Sequence, residues 1–299
     1  MRTIEKYQKP IFSPDRKTVW FGNYPQTKVS DENLIKQLND IQAKVRRQLV
    51  FLDDEAYIYC VAYARKNPVM ILGLFDPDEY EKHLNERRFD DGSEIILRKR
   101  YWFKCEPIEW KVVVERDGKC LLITKKLLDR RTFFDGDKIE NFTVRDEKTL
   151  SYFASDLRYS LNNFFVKYNF LEGEEYILKT DVDNLGTMLD KAFAPSYEEM
   201  MNPLYGFPIE KEEGYGREAK TTDWARAKGA DFSTEEDTYG NGIYWTRTIV
   251  DKMHAPHHLD FIFNTAYVVD YDGSITQMDV DFLACIRPMI VIDSKRKGL

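Results

Sequence analysis

Two Asp-Gly pairs set the strongest constraint on this chain. Asp117-Gly118 sits between the strand-forming runs Trp110 to Glu115 and Cys120 to Thr124. Asp272-Gly273 sits between Ala266 to Asp270 and Ser274 to Met278. Asp and Gly accept the positive φ angles of a two-residue hairpin, whose twist matches that of the strands it joins. A chain with two such turns is committed to antiparallel sheet. The run Cys120 to Thr124 is apolar nearly throughout, which predicts a strand buried on both faces.

Other segments extend this pattern. Val19, Trp20 and Phe21 favour a pleated, half-buried position, and Gly22, Asn23 and Pro25 are expected to end that strand. Further strands are expected over Ile95 to Phe103, Ile243 to Thr248 and Ala284 to Ile292. Helical spacing appears where Leu34, Leu38, Ile41, Val45 and Leu49 recur at three and four residues behind a Ser30 or Asp31 cap. Second and third helical stretches are expected from Asp54 to Lys66 and from Pro77 to Arg87, the latter capped by Asp76. The strongest helical pattern runs from Asp146 to Tyr168, with Leu150, Phe153, Leu157, Leu161, Phe164 and Phe165 as its apolar stripe. A loop-rich stretch follows from Glu172 to Tyr239, interrupted by a short helix from Thr222 to Lys228 that stops at Gly229. The order strand, helices, hairpin, long helix, loops, strands predicts an α+β fold rather than a doubly wound sheet.

Composition removes several function classes. The 299-residue chain is 43% apolar and 32% charged, with a formal net charge of −7. Basic clusters such as Arg98-Lys99-Arg100 are short, so no nucleic-acid platform is expected, since one must neutralise several phosphates at once. No run approaches the roughly 20 apolar residues of a membrane-spanning helix, and the first residues carry no apolar leader, so no membrane partner and a cytoplasmic setting are expected. The four cysteines form no C-x-x-C pair and are expected to be reduced, buried thiols. No Gly-rich phosphate loop is present, and no cofactor is implied.

Several segments in order resemble a known family. Phe21-Gly-Asn-Tyr-Pro-Gln-Thr27 is similar to F-G-x-Y-P-Q-T, and Tyr101 to Val112 is similar to Y-F-K-x-E-P-I-x-W-x-V. Leu157-Arg158, Leu161-Asn162 and Phe165 match L-R-x-x-L-N-x-x-F. Thr222 to Gly229, Tyr244 to Thr248 and Ile286 to Met289 are similar to T-D-Y-A-x-A-x-G, W-W-L-R-S and V-R-P-A. Together they resemble the bacterial domain-of-unknown-function family 6273. The late motifs are in turn similar to a C-type-lectin-like fold, as in relatives of the formylglycine-generating enzyme. The resemblance implies a single domain over residues 1–299, a twisted antiparallel sheet with flanking helices and long loops, and a helical insertion over residues 29–90. It carries no established catalytic residues.

Two groups of residues stand out as candidate sites. Trp245 and Arg247 share a strand face by alternation, and with Arg287 they form a candidate ligand-binding group in which a guanidinium pairs with a carboxylate such as Asp223. The reading that weighs against it is a buried ion pair that fixes the loop-rich half, because an arginine kept inside needs a partner. His254, His258 and Asp260 spell H-x-x-x-H-x-D, similar in spacing to some two-histidine-one-carboxylate metal sites, or else a polar surface loop. Cys285 is expected to be a buried thiol. Asp181-Val-Asp183-Asn184 lacks the glycine and distal glutamate of a calcium loop and is expected to be a turn. The expected function is a non-catalytic recognition module whose loops, from Glu172 to Tyr239 and from Ile249 to Asn264, present a surface to a protein, peptide or glycan. The alternative is a metal-dependent enzyme using the His/His/Asp loop.

Overall fold

The computed structural model describes residues 7–63, 87–135, 151–183, 186, 188–212, 214–250 and 265–296. In chain order the strands are β1 (Ile11–Phe12), β2 (Thr18–Lys28), β3 (Leu49–Leu52), β4 (Glu55–Val61), β5 (Arg100–Arg116), β6 (Lys119–Thr124), β7 (Asp129–Thr132) and β8 (Ile177–Leu178). They continue as β9 (Thr180–Asp181), β10 (Leu189–Asp190), β11 (Ala192–Phe193), β12 (Tyr244–Ile249), β13 (Thr265–Val269), β14 (Ile275–Asp279), β15 (Leu283–Ile286) and β16 (Met289–Asp293). The helices are α1 (Glu32–Val45), α2 (Asp156–Ser160), α3 (Val166–Asn169), α4 (Tyr197–Met200) and α5 (Asp223–Ala227). Among the described residues no helix is long and apolar enough to cross a membrane.

The fold is α+β and mostly antiparallel. A nine-stranded sheet runs β1-β2-β5-β6-β16-β11, with the β3–β4 hairpin attached to β5 and β8 to β16. A five-stranded sheet runs β14-β13-β12-β15-β7. The 17-residue β5 is the hub of the first sheet: β2 lies along one edge, while β4 and β6 share the other. Both Asp-Gly pairs lie in turns, the first as a two-residue hairpin and the second, without a positive φ at Asp272, in a longer turn over residues 270–274. Asp117 and Gly118 have φ of 54° and 79° and close the β5–β6 hairpin, and Gly273, at φ 82°, turns β13 into β14. The expected strand Ala284 to Ile292 is two strands. Pro288 lacks an N–H and biases Arg287 towards an extended backbone; β15 stays in the small sheet while β16 enters the large one.

β2 does not end at Gly22, Asn23 and Pro25. It continues to Lys28 through two irregularities in its pairing with β5. Gly22 holds φ 73° beneath the Phe170 ring, which an added Cβ would meet at 2.6 Å. Pro25 removes a ladder donor, and the Gln26 amide replaces it, donating to the carbonyls of Glu106 (3.2 Å) and Pro107 (2.9 Å). The bulge is therefore a built feature.

Residues 55–61 are strand, not helix. Asp53 and Asp54 both take positive φ, closing a tight hairpin that Ala56-Tyr-Ile-Tyr-Cys-Val61, rich in β-branched and aromatic residues, continues as β4. Residues 77–86 of the third expected helix lie outside the described residues. α1 starts where expected, with Asp31 Oδ1 accepting from the Asn33 and Leu34 amides, and buries Leu38 beside Val50, Tyr57 and Trp102. Leu49 belongs to β3, beyond the helix.

The long helix starts at Asp156, capped by Ser155. A 3-10 turn, Tyr152–Ala154, precedes it, and residues 136–150 lie outside the described ones. A π-turn over Leu161–Phe165 separates α2 from α3. Leu157, Leu161 and Phe165 are buried as the apolar stripe predicts, whereas Phe153 and Phe164 are exposed. The principal core lies between the sheets and this helix, with Trp110, Phe133, Phe170, Tyr244 and Trp245 among its largest fully buried side chains.

Candidate functional site

A cavity of about 480 Å³ opens between the α2–α3 helix, the β2 bulge and the β3–β4 hairpin. Its size lies within the range of about 300–1,000 Å³ common for small-ligand sites. Phe51 and Ile58 come from the hairpin, Phe165 from the π-turn, Trp224 from α5 and Ile286 from β15. At the mouth, Phe164 and Tyr168 stack nearly parallel, 6.2 Å apart at 8°, and are 44% and 62% exposed. π-turns within helices are frequent at functional sites, and here the turn carries two of the rings that line the opening.

One end of the cavity is charged. Asp129 begins β7 and is almost completely buried. Its Oδ1 accepts from Lys228 Nζ (2.6 Å) and from the Arg130 amide (2.8 Å). Its Oδ2 accepts from the Tyr24 hydroxyl (2.8 Å) and from Arg131 Nη2 (3.5 Å). Burial alone would raise this carboxyl, but the Lys228 ammonium and the Arg131 guanidinium outweigh it and hold the group below its ordinary value. The Tyr24 phenol moves the other way, pushed well up by burial and by the neighbouring Asp129 charge, so it remains a donor. Cys105 also lines the cavity; burial pushes its thiol up to about 12, which leaves it neutral and a poor nucleophile at neutral pH.

Of the residues singled out in the sequence, the described ones, Trp245, Arg247, Arg287 and Asp223, each take different partners. Trp245 is fully buried, donates Nε1 to the Arg131 carbonyl (2.8 Å) and packs edge-on to Phe133. Arg247 pairs with Glu199 rather than Asp223, through contacts of 2.6 and 3.0 Å, and also donates to the carbonyls of Ala194 and Val182. Glu199 is itself half of a capping box with Ser196 at the start of α4, so Arg247 ties that helix to β12. Arg287 donates to the carbonyls of Thr124 (3.0 Å) and Arg217, and to the Tyr244 hydroxyl (3.0 Å). Asp223 accepts from the Lys28 amide (3.0 Å) and the Asp90 amide (2.8 Å), and burial pushes its carboxyl up. His254, His258 and Asp260 lie outside the described residues, among which no cluster of three or more His, Cys, Asp or Glu side chains is suited to a metal ion. Asp181 and Asp183 accept from the amides of Gly186 (2.8 Å) and Met188 (3.4 Å) in the β9–β10 connection, the work of a turn.

Comparison with protein-family models, curated proteins and solved structures finds no match to this chain.

The cavity's own residues carried only faint sequence signals. Asp129-Arg130-Arg131 is a charged triplet set between the apolar pairs Leu127-Leu128 and Phe133-Phe134. Such a triplet marks a strand that turns charge inward, but nothing local says where its partners come from. Tyr24 and Trp224 sit inside segments that stand out for their motif and not for a pocket. Lys228, one residue past α5, is separated from Asp129 by 99 positions, and only the fold brings them together. All four cysteines are buried and unpaired with one another. The loop-rich middle is mixed: residues 191–200 and 221–230 are mostly buried, whereas Leu204, Ile209 and Tyr215 are exposed at 85%, 63% and 82%.

Proposed function

We propose that this chain is a non-catalytic recognition module whose ligand places an apolar, ring-sized group in the 480 Å³ cavity. The observation that carries the reading is the pair of stacked, exposed rings, Phe164 and Tyr168, at the mouth of an apolar cavity. Exposed apolar surface continuous with a concave apolar wall is characteristic of binding sites. Asp129 supports a non-catalytic role: a carboxylate already accepting four hydrogen bonds has no lone pair left to take a proton. Of a protein, a peptide and a glycan, the glycan fits least, because this wall offers few partners for a sugar's hydroxyls.

We also propose that the chain is a relative of the domain-of-unknown-function family 6273, built on a C-type-lectin-like scaffold. Its support is that the shared segments have structural work to do. Gly22, Pro25 and Gln26 shape the β2 bulge, and the Arg287-Pro288 step carries the chain from one sheet to the other. A cytoplasmic setting belongs to the proposal as well, supported by four thiols that form no disulfide.

The test is binding of the neutral dye Nile red, followed by fluorescence. Replacing both mouth rings, Phe164→Ala with Tyr168→Ala, is expected to weaken binding about tenfold or more, while Leu204→Ala, on a different loop, leaves it unchanged. Equal binding by the wild type and the double variant overturns the reading.

A further inference from the structure

The charged end of the cavity holds more donors than acceptors. A carboxylate offers about four lone-pair positions, and Asp129 has committed all of them: Lys228 and the Arg130 amide on Oδ1, Tyr24 and Arg131 on Oδ2. The donors are not used up in return. An ammonium has three N–H groups and a guanidinium five, and neither Lys228 nor Arg131 has a second carboxylate partner among the described residues. Arg131 Nε is buried with no hydrogen-bond partner there. The formal charge of the three side chains, one carboxylate against an ammonium and a guanidinium, is +1. What is left over at this end is positive charge and N–H groups, next to an apolar wall.

Cationic or hydroxyl-bearing ligands suit this end poorly. An ammonium would meet two cations and a carboxylate with no free lone pair. A hydroxyl would find donors but leave the surplus charge uncompensated. A carboxylate is acceptor-only and neutralises that charge, and charge-assisted hydrogen bonds are the stronger kind. Arg131 is also the most accessible of the three groups, its side chain 42% exposed against 16% for Lys228 and 2% for Asp129, so a ligand's head can reach it without dismantling the pair beneath.

We propose that the ligand of this cavity is an amphiphilic monocarboxylate, its carboxylate held between Lys228 and Arg131 and its apolar body lying along Trp224, Phe165 and Phe164. This assignment rests on the cavity being the binding site, as argued above. Asp129 then acts as a positioning residue: it fixes the ammonium and the guanidinium on either side of the ligand's head and does not touch the ligand.

The experiment compares three probes of the same body and different head, phenylbutanoate, phenylbutanol and phenylbutylamine, by titration calorimetry with the full chain at low salt. The expected order is acid tightest, with a gap of about tenfold or more over the alcohol and the amine weakest. In Arg131→Gln the acid is expected to lose about fivefold or more while the alcohol stays within about twofold. Raising the salt narrows the gap between acid and alcohol, since screening acts on the charged head alone. If acid and alcohol bind equally, or the amine binds best, the anion assignment falls and the cavity reading stands. If none of the three binds, the cavity reading falls and takes this assignment with it. The comparison of heads on the unaltered protein does not depend on any variant folding.

Discussion

Asp129 shows how a single buried charge is made tolerable and what it commits the molecule to. Its four donors come from β2, from its own strand and from the residue just past α5, so the carboxylate ties three parts of the fold together. Removing it in Asp129→Ala leaves Lys228 with no anion, and loss of one partner from a buried pair costs about 3–5 kcal/mol; chemical denaturation should read a drop of that size. The pH dependence has a definite sign. The folded carboxyl lies below its ordinary 3.8, so the unfolded chain takes up the proton first. The contribution is complete above the unfolded value and is lost as pH falls through the folded one. The stability gap between wild type and Asp129→Asn should therefore be flat near neutrality and shrink from about pH 5 downward. Cysteine reactivity is a second expectation at this scale. Burial raises Cys60, Cys105 and Cys285 to about 12 and Cys120 to about 11. A thiol reagent should label next to none of the four in the native protein and all four after denaturation. Buried thiols were legible in the sequence. The partners of Arg247, Arg287 and Asp223 were not, because the sequence marks which residues are worth pairing but not where a carbonyl or carboxylate will arrive from, far along the chain.

At the level of elements, periodicity and turn chemistry were legible where they are local. The Asp-Gly hairpins, α1 with its Asp31 cap, and α5 ending at Gly229 all follow from residues within a few positions. Local signals mislead where a tertiary partner overrides them. Gly22, Asn23 and Pro25 look like a strand terminator, yet Gln26 supplies the missing donor and β5 keeps pairing. The stretch from Asp54 to Lys66 is expected to be helical, yet Asp53 and Asp54 adopt positive φ and residues 55–61 pair as a strand with β3 and β5. Two substitutions test the bulge. Gln26→Ala gives up two hydrogen bonds to main-chain carbonyls and should cost about 1–3 kcal/mol by denaturant titration. Gly22→Ala combines a positive φ with an approach of 2.6 Å to the Phe170 ring, and should cost more than about 1 kcal/mol. A Gly22→Ala protein as stable as the wild type would contradict the bulge geometry.

For the molecule as a whole, the α+β order of elements was visible in the sequence, but the division of strands between two sheets was not, because it depends on pairings far apart in the chain. Buried arginines hold the irregular segments to these sheets. Arg217 is fully buried and donates to the carbonyls of Pro208, Glu210, Lys211 and Gly273, fastening a loop and a hairpin turn at once. Arg226 does the same for the Arg88 carbonyl and the Thr221 hydroxyl while packing over Phe232. Arg217→Leu keeps an apolar side chain at the position and strands those carbonyls. Hydrogen exchange should rise in residues 206–217 and 270–275 far more than in β5 and β6, because local opening follows the loss of local anchoring. Uniform acceleration across both sheets would mean that Arg217 supports the whole core instead.

The step from β15 to β16 also decides when the large sheet is finished. β6 is flanked by β5, its hairpin partner, and by β16 on the other side. On a translating ribosome the β5–β6 hairpin emerges early, but its second neighbour is made about 165 residues later. At about 5–20 residues per second that is a wait of roughly ten to thirty seconds. Through that interval the nascent chain carries an apolar strand with an open edge, the kind of template that recruits wrong partners. A chaperone that shields β6 until residue 293 has been synthesised would raise the yield of native protein without altering its stability once folded.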